Sequence, residues 1–241
     1  MLKKPFVKTI EKKSQHIEYT VKFGKRKTIQ IKIEYPDKVT VLVPNNISRA
    51  QIETLVNQKS DWIFEKVEEF QKRAVDVPRR NFETGDIWLY LGKEYTLDVL
   101  EAVGLKKPMV YIEGEKLVVK INSIEPKKVE EALEKWYREK AQEVILDRVS
   151  YYQKHFSKIP RSIRVKTQKK RWGSCTWRDD LLFNWRCVMA RIEAVDYIVV
   201  HEMCHMIEKN HSKAYWQLVE SIYPSYKVEK LWLKQNSIMI N

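Results

Sequence analysis

Three histidines and a glutamate crowd into eleven residues of this chain: His201, Glu202, His205 and His211, in the segment VVHEMCHMIEKNHS. Residues four apart on a helix project from one face, so His201 and His205 can offer two imidazole nitrogens to a single cation. Glu202 lies about 100° further round the helix and flanks that cation. His211 becomes a third ligand if the helix stops soon after His205 and the chain folds back. Lys209 and Asn210 allow that turn, because asparagine tolerates the left-handed region. Three protein ligands leave a fourth coordination position open for water, which distinguishes a catalytic zinc site from a structural one. The expected chemistry is hydrolysis through a metal-activated water, with Glu202 as general base while the oxygen attacks a carbonyl carbon. One Zn2+ per chain is the expected cofactor, since imidazole ligands favour zinc over magnesium.

The surroundings support this reading over a helix whose histidines merely satisfy core hydrogen bonds. The preceding run, Asp196-Tyr197-Ile198-Val199-Val200, is apolar enough for a buried helix, where imidazoles and a carboxylate without a purpose would be costly. Cys204 is read as a packed thiol and not a fourth ligand, as is Cys175, although the loop of Cys175 could approach the site.

Around this helix stand Arg171-Trp172-Gly173-Ser174-Cys175, Phe183-Asn184-Trp185-Arg186 and Asp196-Tyr197, followed by VVHEMCHMIEKNHSKAYW. With them the chain resembles the YgjP-like metallopeptidase family, which is related to the SprT-type zincins. A looser likeness extends through the Asp61-Trp62-Ile63 helix and the Leu91-Gly92-Lys93-Glu94-Tyr95 hairpin. The resemblance implies a zinc-dependent metallopeptidase acting on polypeptides, with His201, His205 and His211 as metal ligands and Glu202 as the base. Zincins commonly bind substrate along an edge strand beside the active-site helix. Phe183 to Arg186 or the 171–175 loop would take that part, giving Arg171, Trp172, Gly173, Ser174, Asn184 and Arg186 as substrate-binding candidates. Glu208 stands where metzincins carry glycine, so the metzincin label does not apply. Met189-Ala190-Arg191 stands where the family pattern commonly has a proline.

A chain of 241 residues can bury a sizeable core. It has no apolar run near the ~20 residues a bilayer requires, and no hydrophobic signal core follows Met1-Leu2-Lys3-Lys4-Pro5. Three cysteines without a C-x-x-C pair suit a reducing compartment, so a cytoplasmic location is expected. The net charge of +13 concentrates in residues 158–171, with Lys158, Arg161, Arg164, Lys166, Lys169, Lys170 and Arg171 and no acid. That basic strip would attract nucleic acid or another anionic partner.

The elements that must position the site form an α+β fold: an N-terminal strand-rich half and a zincin-like catalytic half with a long backing helix, a small sheet and the H-E-x-x-H helix. Strands are expected at Ile17 to Phe23, Ile29 to Glu34 and Val39 to Val43, with a turn at Pro36-Asp37. Ser48 and Gln51 make a capping box opening one helix with the stripe Ile52, Val56, Ile63, Val67 and Phe70. Residues 74–83 read as a linker. Short strands follow at Ile87 to Leu91, Tyr95 to Leu100, Val110 to Ile112 and Leu117 to Ile121. Pro126 opens the long helix, with the stripe Val129, Leu133, Tyr137, Ala141, Ile145, Val149, Tyr152 and Phe156. Ile163 to Val165 and Leu182 to Trp185 alternate like strands. Ser212 caps a helix ending before Pro224 on which Trp216 is read as core. The organisation drawn from this is an N-terminal β-rich region over 1–121 and a metallopeptidase domain over 122–241, with no internal repeat.

Two rival functions share these residues. A metal-dependent nucleotide phosphohydrolase would use Lys158 to Arg171 to clamp phosphates. A DNA-associated protease would cleave proteins held on nucleic acid.

Overall fold

The computed structural model describes residues 4–12, 15–34, 37–75, 80–168 and 171–240. Pro36, Pro78-Arg79, Lys169, Lys170 and the side chain of Phe70 lie outside that description. Among the described residues there are six α-helices and three sheets, so the mixed α and β expectation holds. No helix there is long and apolar enough to cross a membrane.

The chain divides into two compact units, residues 1–77 and 78–241. In the first, β1 (Phe6–Lys12), β2 (Gln15–Gly24), β3 (Gln30–Glu34) and β4 (Lys38–Pro44) form a sheet in the order β1-β2-β4-β3. Its inward residues, Ile10, Tyr19, Val21, Val39, Val41 and Val43, pack with Ile52, Val56 and Ile63 of the following helices. The single helix read from Ser48 onward is in fact two, α1 (Arg49–Gln58) and α2 (Ser60–Val75). The break falls at Lys59, whose backbone sits at φ −102°, ψ 6° and whose N–H is shared between the Leu55 and Val56 carbonyls. The capping box is present in full: Gln51 N–H donates to Ser48 Oγ at 3.2 Å and Ser48 N–H donates to Gln51 Oε1 at 3.0 Å.

The second unit begins with another four-stranded sheet, β5 (Ile87–Tyr90), β6 (Lys93–Glu101), β7 (Met109–Glu113) and β8 (Lys116–Ile121), in the order β5-β6-β8-β7. The sequence reading grouped these strands with the N-terminal region up to residue 121. Their side chains instead share one core with α3 (Pro126–Tyr152) and the metal-site helix, and for that physical reason the units part at 77/78. Every residue of the expected α3 stripe from Val129 to Tyr152 is buried, and Phe156 continues it past the helix end.

A small third sheet holds β9 (Ser162–Lys166), β10 (Gly173–Cys175) and β11 (Asp180–Asn184) in the order β10-β11-β9. Here two expectations fail. Residues 173–175 are a strand instead of a loop, and β11 ends at Asn184 because Trp185 to Met189 wind into a 3-10 turn capped by the Asn184 side chain. β11 is central, so Phe183 to Arg186 cannot offer a free edge, whereas β10 can. After that turn come α4 (Ile192–Cys204), α5 (Lys213–Ile222) and α6 (Tyr226–Ile240), the last unforeseen.

Three contacts fix α4. Arg148 of α3 makes a two-pronged pair with Asp196, Nε to Oδ1 at 2.5 Å and Nη2 to Oδ2 at 3.0 Å. Arg191, at the N-cap, grips the buried Glu229 of α6 in the same way at 2.9 and 2.8 Å. The β5–β6 turn abuts the same place: Leu91 and Gly92 both have positive φ, 48° and 79°, as a type I′ turn requires. Leu91 N–H donates to the Val188 carbonyl at 2.7 Å. A methyl group on Gly92 would come within 2.8 Å of Arg191 Cβ.

Candidate metal centre

α4 is apolar and buried almost all round, and its last turn delivers His201, Glu202 and, at the C-cap, His205. Beyond His205 the chain reverses as expected, but by a different device. Asn210 does not adopt a positive φ; instead Ser212 N–H donates to the Asn210 carbonyl at 2.7 Å, and Lys158 Nζ, reaching across, donates to the Met206 carbonyl at 2.7 Å. Lys209 ties this turn to the β10–β11 hairpin, donating to the Thr176 carbonyl at 3.2 Å and pairing with Asp179. The turn sets His211 against the other two rings.

His205 Nε2 lies 3.1 Å from His211 Nε2, which in turn lies 3.2 Å from His201 Nε2. One ligand atom from each of the three residues lies within 4.8 Å of the others. Tetrahedral zinc with Zn–N bonds of about 2.0–2.1 Å separates its ligand nitrogens by roughly 3.4 Å, so the arrangement fits one ion. His205 Nδ1 donates to the Glu208 carbonyl at 3.0 Å, which leaves its Nε2 a bare lone pair facing the centre. Acceptor atoms converging in this way repel each other unless a cation lies between them. Burial, aided by the neighbouring rings, pushes His201 down to about 3, and burial lowers His205 as well, so both imidazoles are neutral and able to ligate. His201 Nδ1 is buried without a hydrogen-bond partner among the described residues.

Aromatic rings hold these imidazoles. Tyr215, fully buried on α5, stacks on His205 with centroids 4.5 Å apart and an angle of 23°, and its hydroxyl donates to the His201 carbonyl at 2.9 Å. Trp216 stacks on His211 at 5.5 Å and 20°, and is backed by Tyr226 of α6 at 5.4 Å and 18°. Lys230 Nζ lies 4.0 Å from the Trp216 ring centre. Trp216 is therefore a half-buried support for the most exposed of the three histidines, and not the core residue expected from its spacing.

Glu202 is 5% exposed and lies against β10. The Cys175 N–H donates to its carboxylate, and a methyl on Gly173 would meet its Cγ at 2.6 Å and Oε1 at 2.8 Å. Gly173 is glycine because this carboxylate needs the space. Burial lifts the Glu202 carboxyl to about 8, against the opposing pull of Arg171.

Glu202 and the three histidines line one cleft of about 440 Å³, together with Arg171, Trp172, Gly173, Ser174 and Cys175. Four of the six substrate-binding candidates thus share the cleft. Asn184 and Arg186 do not line it. Asn184 is a buried structural amide donating to the Gln168 and Arg171 carbonyls at 2.8 and 3.2 Å, and Arg186 covers the Trp185 ring. Tyr197, Lys209 and Leu233 of α6 line the cleft without having been foreseen as lining residues; Lys209, beside the turn, and Tyr197, in the Asp196-Tyr197 motif, carried a local signal, and Leu233 carried none. Burial raises the Cys175 thiol to about 11 and the Cys204 thiol to about 12, so neither is a reactive thiolate at neutral pH. The basic strip is partly spent: Arg161 is clamped on Asp180 at 2.8 and 2.9 Å, and Lys158 serves the turn. Arg171 alone of its described members lines the cleft.

No curated protein and no solved structure matches this chain. A family model described as YgjP-like, metallopeptidase domain, does match, and it runs from residue 27 to residue 236. The match takes in most of both units, and the chain belongs to the YgjP-like metallopeptidase family.

Proposed function

We propose that this protein is a zinc-dependent peptidase that hydrolyses peptide bonds with Glu202 as the proton-transferring group. The observation that carries the reading is the meeting of three Nε2 atoms at 3.1–3.2 Å in the cleft that Glu202 also lines. His201, His205 and His211 would hold the ion. When bound, it would supply Lewis acidity toward an attacking water and the substrate carbonyl. Glu202 takes the proton of that water on its carboxylate and returns it to the leaving amine. Burial gives this carboxyl the raised proton affinity that such a double role needs, and a cation beside it draws the value back toward neutrality. The Cys175 N–H and the bare backbone of Gly173 fix its position. β10, the free edge beside α4, offers main-chain groups to an extended substrate.

Glu202→Gln keeps the size of the side chain and removes its base. Loss of casein hydrolysis at unchanged metal content is the expected outcome; retained hydrolysis would overturn the assignment. Elemental analysis of chain purified without chelators or nickel resin should give about one zinc per chain.

A further inference from the structure

The two four-stranded sheets are one design used twice. In the first, β2 and β4 run parallel with Tyr19 opposite Val39; in the second, β6 and β8 run parallel with Leu97 opposite Leu117, the same pairing shifted by 78 residues. The β1–β2 pairing repeats at the same shift, Thr9 opposite Glu18 becoming Ile87 opposite Thr96. Buried residues correspond: Ile10 with Trp88, Val21 with Val99, Val41 with Val119 and Val43 with Ile121. Ile31 faces Val41 as Val110 faces Val119, so the third strands correspond at a shift of 79. A helix follows each sheet, capped at Ser48 and Glu125 and burying Ile52 and Val56 or Val129 and Leu133, a shift of 77.

Each copy also carries a groove between its third strand, an edge of the sheet, and that helix. The groove of the first unit measures about 390 Å³ and is lined by Ile29, Ile31, Leu55, Lys59 and Trp62. At the shifts just given these become Pro108, Val110, Ala132, Trp136 and Glu139, and all five line the groove of the second unit, about 770 Å³. The same cleft therefore recurs on sequences that share little beyond apolar character.

We infer that the two grooves are paired docking sites for extended, acidic stretches of the polypeptide substrate, each stretch adding a strand to the edge of β3 or β7. This rests on the peptidase reading for what the occupant is. An edge strand carries unpaired backbone N–H and C=O groups that another extended backbone satisfies, while the apolar floor takes alternate side chains. Charge selects the acidic occupant. Lys59 is the one charged residue among the described residues lining the first groove; in the second, Lys128 already pairs with Glu125 at 2.6 Å and Lys135 with Glu139 at 3.8 Å, so Lys106 is the cation left for an occupant, with Glu131 the remaining acid. Lys59 and Lys106 have no ion-pair partner among the described residues, so each is available to a carboxylate.

The test uses the full chain carrying Glu202→Gln and a permanently unfolded acidic probe, reduced and carboxymethylated α-lactalbumin. Hydrogen exchange should slow at the backbone amides of residues 30–34 and 109–113 when the probe is added. Lys59→Glu and Lys106→Glu, both surface changes, should each weaken probe binding by about threefold to tenfold, and by more together. Lys93→Glu, exposed in the β5–β6 hairpin, should leave it unchanged. Binding without protection at either edge, unchanged affinity in the double reversal, or no binding would each overturn the docking sites. Because no cleavage is required, these outcomes are independent of whether Glu202 turns out to be the base.

Discussion

The first sheet and the second have the same wiring, but different helices follow them. α1 spans 10 residues and stops at Lys59, whereas α3 spans 27 residues. Its first half, Val129 to Tyr137, covers the sheet in the way α1 does. Its second half runs past the sheet, and there Arg148 meets Asp196 of α4. The comparison teaches that the metal centre is an extension built on one copy of a repeated scaffold. What the copies share is a hydrophobic core and a groove; what only the second has is a helix long enough to hold another helix.

Changes that break the comparison should therefore separate scaffold from extension. The largest effect is expected at Gly173, which belongs to the extension alone. Gly173→Ala drives a methyl into Glu202 and should lower peptidase activity by at least about a hundredfold, the scale of a misplaced general base, while zinc content measured by mass spectrometry stays near the wild-type value. Next is the bond between the long helix and α4. Asp196→Ala removes the two-pronged partner of Arg148, leaving it only the longer pair with Asp147 at 3.6 Å and the Tyr151 and Tyr152 rings, and should cost about 2 kcal/mol in urea unfolding, with the loss confined to the second unit. An unchanged midpoint would mean that α3 does not hold α4 through this pair.

Trp216 sharpens the comparison at the centre itself. Trp216→Ala removes the ring that supports His211 and should weaken zinc binding, measured by chelator competition, by about tenfold, with Trp216→Phe recovering much of it. Equal affinity in all three proteins would show that the turn alone positions His211. The smallest effect concerns acid. Arg161 first, then Ser162 and Thr176, hold Asp180 well below the usual carboxylate range. Its folded-state pKa is depressed, so its contribution is present above the unfolded value of about 3.9 and is lost as pH falls below that toward the folded value. Asp180→Asn should therefore flatten the fall of Tm below about pH 4 and leave its behaviour near neutrality alike in shape.

What could be read from the residues alone follows from how each signal is carried. His201, Glu202, His205 and His211 were legible because ligand chemistry needs particular residue types at particular spacings, and the α3 stripe because a buried face repeats every three or four residues. β1 was not, since only Ile10 of its seven residues is buried and Val7, Lys8, Thr9 and Glu11 around it are exposed, so no alternation shows. α6 was not foreseen although Ser225 directly precedes it as Ser212 precedes α5, because that serine follows Pro224, where the preceding helix was read to end. The repeat stayed hidden because packing asks of Tyr19 and Leu97, or Ile10 and Trp88, only that they be apolar and face inward. Trp216 was misread for a related reason: helical spacing says that a ring faces a neighbour, not that the neighbour is an imidazole. Asn184 and Arg186 were placed near the substrate by their closeness in sequence to β11, yet the central position of that strand turns them to structural duties.

The hairpin turn at Leu91-Gly92 has a practical bearing on anyone wishing to modify this molecule. Surface turns between strands are ordinarily where tags, epitopes and inserted domains are best tolerated. This one is wedged against Arg191, so lengthening it would shift the beginning of the helix that bears His201 and Glu202. The turn at Gly114 has open space around it, so an insertion there would leave the start of that helix in place.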